Sequence, residues 1–172
     1  MLRFGRHAAG LLLALTLVAC GQEKPPSDIT DIKGVMPRLD FSLTRANDGA
    51  QVTAHDYLGK IVVLYFGYTN CPDVCPTTLS NLSIALQTIG DEAKKVRVLF
   101  VSVDPHRDTL KVLKSYVNAF APQIDGLRGT DNQIAVLARR YRIAYSVTPA
   151  SATQAYQVSH SNAVFFFDRS GA

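Results

Sequence analysis

Cys71 and Cys75 are two thiols four residues apart in Cys71-Pro72-Asp73-Val74-Cys75-Pro76, directly after the apolar run Ile61–Gly67. At the start of a helix that spacing puts both sulfurs on one face, near enough to share a metal ion or to close into a short disulfide. The dipole and free N–H groups of a helix start also lower thiol pKa, favouring the thiolate that binds metal or attacks a disulfide. The residues therefore predict sulfur chemistry. The bland alternative is an inert disulfide, which would stabilise little because so small a ring removes little unfolded-state entropy.

Alternating strands and helices must position that pair. Residues 61–67 are continuously apolar and β-branched at their start, as a strand covered on both faces should be, and Leu79, Leu82, Ala85, Leu86 and Ile89 recur at helical spacing over 77–89. Gly90 ends that helix. Residues 96–103 read as a second buried strand, 109–120 as a second amphipathic helix, then a short strand near Leu127, a helix over 131–141 and a last strand over 163–167. Before them, 39–43 and 51–53 flank the turn signal Asn47-Asp48-Gly49 and predict a short hairpin. This order implies an α/β fold with a mainly parallel core sheet and helices on both faces. There is no internal repeat and no low-complexity tract.

The first twenty residues predict where the chemistry happens. Arg3 and Arg6 precede an apolar run over 11–19 that is too short to span a bilayer, the layout of a secretory signal. It ends in Leu17-Val18-Ala19-Cys20-Gly21, which resembles a bacterial lipobox whose Cys carries lipid after cleavage; an ordinary signal or short anchor with a chance Cys is the competing reading. Lipidation of Cys20 also removes the odd thiol from a count of three cysteines in an oxidising compartment, leaving Cys71 and Cys75 to serve each other. The domains expected are a signal over 1–19, a polar, proline-bearing tether over 20–38, and one domain over 39–172. The expected location is the periplasmic side of the bacterial cytoplasmic membrane, with the outer membrane as the alternative. The net charge of +4 falls further with Arg3 and Arg6, and with no basic run nothing supports nucleic-acid binding.

The stretch Tyr65-Phe66-Gly67-Tyr68-Thr69-Asn70-Cys71-Pro72-Asp73-Val74-Cys75-Pro76-Thr77-Thr78-Leu79, with Val103-Asp104-Pro105 and His160-Ser161, resembles the Sco/SenC family of membrane-anchored copper chaperones. The resemblance covers about residues 41–171. It implies a thioredoxin-like fold and a role in delivering copper to, or reducing cysteines of, the dinuclear copper centre of cytochrome c oxidase. The partner implied is the copper-bearing oxidase subunit or another copper chaperone. Copper as Cu(I) or Cu(II) would be held by Cys71, Cys75 and His160, two sulfurs and one nitrogen, whereas zinc would normally want a fourth ligand. A thioredoxin-like sheet sets the last strand antiparallel beside the first core strand, which brings His160 opposite the cysteines. Ser159, Ser161 and Asp73 are candidates to fix its tautomer. His55 and His106 read as solvent-exposed, and Pro72 and Pro76 only bias the backbone.

Within the resemblance, Val158-Ser159-His160-Ser161-Asn162 contains no proline where thioredoxin-like oxidoreductases place a cis proline, which shifts the balance toward copper. The alternative function, thiol-disulfide oxidoreductase or redox sensor through Cys71 and Cys75, stays open; a lipoprotein with a structural disulfide is the third. In the segment from Asp104 to Leu110, Asp108 reads as the N-cap of the helix from Thr109 and Asp104-Pro105 as a turn, with partner contact as the other reading. The family pattern usually has Glu at the position of His106 and Pro at that of Leu110. Phe165, Phe166 and Phe167 read as core. Related proteins continue past the turn Asp168-Arg169-Ser170-Gly171 into a further strand and helix, so residues 163–167 are expected to form an open sheet edge.

Overall fold

The apolar run that precedes the cysteines becomes a strand at the heart of a six-stranded sheet. The computed structural model describes residues 29–172, so the expected signal and the lipid site at Cys20 lie outside the described residues. Of a first unit, residues 1–31, only 29–31 are described; the second unit is Ile32–Ala172. In chain order its elements are β1 (Ser42–Arg45), β2 (Gln51–Thr53), β3 (Ile61–Gly67), α1 (Val74–Thr88), β4 (Val96–Ser102), α2 (Leu110–Val117), β5 (Ile124–Arg128), α3 (Asp131–Arg140), β6 (Tyr145–Thr148), β7 (Gln157–His160) and β8 (Val164–Phe167). Turns of 3₁₀ helix occupy Ala54–Tyr57 and Gly90–Lys95.

The large sheet runs β2-β1-β5-β4-β3-β8. Only its centre is parallel: β3 pairs with β4 and β4 with β5 in parallel, while β1 and β8 flank them antiparallel. Tyr65, Phe100 and Gly126 stand side by side on one face through the register Tyr65↔Phe100↔Gly126. α1 and α2 cover that face, since a Cβ on Gly67 would strike Cys75 of α1 and one on Gly126 would strike Leu113 of α2. The opposite face carries Phe165 and Phe167, against which Tyr141 at the end of α3 packs at 5.9 and 5.6 Å. Helices thus cover both faces, and β3 is buried along six of its seven residues.

The opening hairpin forms two to three residues later than expected on its first side. Gly49 takes φ +79° at the turn, and the Asp48 carboxyl group accepts from Ala50 N–H at 3.1 Å and pairs with Arg45 at 2.6 Å. Two findings depart from the sequence reading. Of the phenylalanine triplet Phe167 is core and Phe165 packs half-buried against it, but Phe166 is 49% exposed, because β8 is an edge strand bonded only to β3 among the described residues. The open edge expected at 163–167 is present. The second departure is β6 and β7, an antiparallel ribbon outside the main sheet with Tyr145 opposite His160. Its sequence, Tyr-Ser-Val-Thr against Gln-Val-Ser-His, has too few apolar residues to stand out from a loop.

Candidate metal centre

Cys71 sits in the turn that follows β3, not on a helix as the spacing suggested. Its N–H donates to Tyr68 O at 3.2 Å, and α1 begins only at Val74, with Asp73 as N-cap. The sulfurs still meet, because the turn folds back far enough for Cys75 N–H to donate to Cys71 Sγ at 3.4 Å. Cys75 is fully buried and Cys71 is 8% exposed. Both are free thiols.

Gly67 makes the slot that Cys75 fills. A Cβ there would lie 2.6 Å from Phe100 Cε2 and 2.8 Å from Cys75 Sγ, distances at which something must move. Gly67→Ala is therefore expected to destabilise the domain by about 1–3 kcal/mol through overpacking and to displace the Cys75 sulfur. Denaturant melts of both proteins check this; an unchanged midpoint would contradict it.

His160 closes the site from the end of β7. Its Nε2 lies 3.2 Å from Cys75 Sγ, and Nδ1 lies 2.9 Å from Ser161 O, so Nδ1–H donates to that carbonyl and the Nε2 lone pair faces the sulfur. Of the three candidates for this role, Ser161 fills it, through its backbone. Ser161 is itself held, its N–H donating to Ala144 O at 2.8 Å and its Oγ accepting from Ala144 N–H at 3.1 Å. Tyr65 and Tyr68 set ring edges against the imidazole, at 6.1 and 5.7 Å between centroids. One ligand atom each from Cys71, Cys75 and His160 then lies within 4.8 Å of the other two. Two soft sulfurs and an imidazole nitrogen fit a copper ion in either oxidation state. His106 instead pairs with Asp131 at 3.1 Å on the surface, and His55 lies in the 3₁₀ turn after β2.

Burial reverses the expected effect of the helix start on Cys75. Desolvation pushes its thiol from 9.0 up to about 12, while the Tyr68 backbone N–H acts the other way. A helix terminus contributes typically 0.3–1 kcal/mol, whereas full burial shifts a group by several pKa units, so desolvation wins. The thiol therefore surrenders a proton when a metal binds, and affinity should rise with pH through the neutral range. Stability of the metal-free protein runs the opposite way. Between about pH 9 and 12 the unfolded chain loses this proton while the folded one keeps it, so stability is full below that window and falls across it. Denaturant melts at pH 8 and 10.5 check this: the loss should be smaller in Cys75→Ala, which lacks the thiol but keeps the buried tyrosines that titrate in the same sense.

The chain between β4 and α2 is scaffolding that the sequence reading only half identified. Thr109, not Asp108, caps α2, its side chain accepting from Val112 N–H. Asp108 is fully buried and accepts from Thr69 N–H at 3.0 Å, Thr69 Oγ1 at 2.6 Å and Ser102 Oγ at 2.6 Å. It thereby holds the turn that carries Cys71. Asp104, equally buried, accepts from Tyr156 Oη at 2.7 Å and pairs with Arg107, whose guanidinium lies 4.1 Å over the Tyr156 ring. That contact ties the segment before β7 to the same loop. An open cleft of about 310 Å³ adjoins the site, with Tyr68, Asn70, Arg107 and Tyr156 in its walls.

Comparison with known proteins gives one consistent result. The family model SCO1/SenC matches residues 35–172. The chain is 40% identical over 134 residues to the mitochondrial SCO2 homolog of Bos taurus, covering 77% of this chain and 50% of that protein. Among solved structures, Bradyrhizobium japonicum ScoI with copper bound superposes with a TM-score of 0.71 at 39% identity, over 78% of this chain and 84% of that one. Yeast Sco1 with copper bound gives 0.70 at 36% identity, over 78% and 76%. The chain spans half the length of the bovine relative it matches.

Proposed function

The chain belongs to the SCO1/SenC family, and from that premise we propose that it is a copper metallochaperone serving the dinuclear copper centre of cytochrome c oxidase. The observation that carries the reading is the convergence of Cys71, Cys75 and His160, whose ligand atoms lie within 4.8 Å of one another. Two family members of similar structure are described with copper bound. The ion is cargo. It enters as the two thiols release their protons and His160 Nε2 gives up its contact with Cys75, and it leaves when a partner's ligands replace these three in turn. Cys71, the less buried sulfur and next to the cleft residue Asn70, is the natural first point of exchange. The partner is the copper-bearing oxidase subunit or another copper chaperone.

Thiol-disulfide exchange by the same pair is the weaker reading. It needs an accessible thiolate, whereas Cys75 is fully buried and its proton is held by burial. Anaerobic titration of the reduced protein with Cu(I) against a competing chelator tests the proposal. Saturation at one copper per chain is expected; no binding above that of a double Cys71→Ser, Cys75→Ser variant would refute it.

The proposal includes a lipid at Cys20, holding the domain on the periplasmic face of the bacterial cytoplasmic membrane. Leu17-Val18-Ala19-Cys20 and the odd cysteine count support it. Among the described residues no helix is long and apolar enough to cross a membrane. Mass spectrometry of the mature N-terminus should find a diacylated Cys20. An unmodified N-terminus downstream of Cys20 would exclude the anchor.

A further inference from the structure

Tyr65 carries a fully buried hydroxyl that makes no hydrogen bond of ordinary length and angle among the described residues. Such a group costs about 1–3 kcal/mol when left unpaired, and native structures keep few of them. Its position is specific. On β3, Tyr65 points to the same face as Gly67, and Cys75 Sγ fills the slot that Gly67 leaves open. Its ring stands edge-on to His160 and tilted against Phe100. The side chains close enough to act on the hydroxyl as hydrogen-bonding groups are Cys75 and Thr78.

A thiol sulfur is a weak acceptor and a thiolate a strong one. Cys75 changes from the first to the second when copper displaces its proton, so a donor that faces only a weak acceptor in the metal-free protein gains a strong one at the moment of loading. Two other donors beside the site are committed elsewhere: Tyr68 Oη donates to Val158 O at 3.3 Å, and Nδ1 of His160 to Ser161 O. We propose that Tyr65 is a positioning residue that donates its hydroxyl proton to the Cys75 thiolate in the copper-loaded protein, drawing electron density from the sulfur and favouring Cu(I) over Cu(II). The inference rests on the copper reading above and adds to it a residue that sets which oxidation state is preferred.

Tyr65→Phe tests it, since it removes only the hydroxyl. With the hydrogen bond gone the sulfur becomes a better donor. The sulfur-to-Cu(II) charge-transfer band should move to longer wavelength, and the preference for Cu(I) over Cu(II) should fall about tenfold, equivalent to about 59 mV for one electron. Tyr116→Phe removes the other unpaired buried tyrosine hydroxyl and should leave the spectrum in place. A second measurement needs no variant. In the wild-type protein labelled with carbon-13 at the tyrosine Cζ, loading diamagnetic Cu(I) should shift the Tyr65 signal. Wild-type protein that binds copper while Tyr65→Phe gives the same band and the same preference overturns the inference alone, as does an unmoved Tyr65 signal. Wild-type protein that binds no copper overturns the copper reading, and the inference with it.

Discussion

Asp108→Ala should destabilise the domain by about 3–5 kcal/mol and loosen the metal site together with it. The Asp108 carboxyl group is fully buried and accepts three hydrogen bonds, two from Thr69 and one from Ser102. Removing it leaves the buried Ser102 hydroxyl and the two half-buried Thr69 donors unpaired, at about 1–3 kcal/mol for the buried group and less for those that can turn toward water. It also opens a small void between the turn after β3 and the chain before α2. Thr69 lies two residues before Cys71, so the lost bonds free the turn that holds one sulfur against the other. Copper affinity should fall even under conditions where the variant remains folded. Asp108→Asn should lose less, because it keeps one acceptor oxygen but turns an amide toward the same donors. Urea melts and Cu(I) titrations of the three proteins check this. A midpoint change in Asp108→Ala equivalent to less than 1 kcal/mol would contradict it.

Much of this fold is written in local pattern. β3 was legible to the residue because both faces are covered, which leaves a run of apolar residues bounded by Lys60 and Gly67. β4, α2 and α3 followed from their apolar runs and helical spacing, although Thr109 and Thr130, which cap the two helices, were not singled out. What escaped depends on distant partners. Asp108 and Thr109 are both good caps, and it is the tertiary bonds of Asp108, to Ser102 and to Thr69 39 residues away, that turn it inward while Thr109 caps. β6 and β7 were missed because the ribbon is half exposed, and its pairing places His160 opposite Tyr145.

At the site the balance is similar. The cysteine pair was evident from its spacing, although a turn rather than a helical face joins the two sulfurs. The meeting of His160 with Cys75 spans 85 residues and was legible only through the family resemblance. The direction of the Cys75 shift was misjudged because the helix start is local and visible in sequence, whereas desolvation is a property of the packed domain. Gly67 and Tyr65 stood inside the quoted motif without a role. Their parts depend on which side chains share one face of β3, and that needs the register of the whole sheet.

The most direct test of the copper reading sets His160→Ala beside Cys71→Ser and Cys75→Ser in one anaerobic series, measuring Cu(I) affinity, the Cu(II) spectrum and the rate of reduction of a model disulfide. The site predicts one copper per wild-type chain. Each cysteine variant should lose binding by about a thousandfold or more, since a lone thiolate and an imidazole make a poor Cu(I) site. His160→Ala should weaken Cu(I) binding by about 10–100-fold and change the Cu(II) spectrum, because its Nε2 is the nitrogen that faces Cys75. Disulfide reduction should be slow in all four proteins, with Cys75 buried as it is. The contrary result would be copper affinity and Cu(II) spectrum unchanged in His160→Ala alongside efficient disulfide reduction by the wild type and by that variant; the pair would then be a thiol-exchange centre, and His160 a bystander.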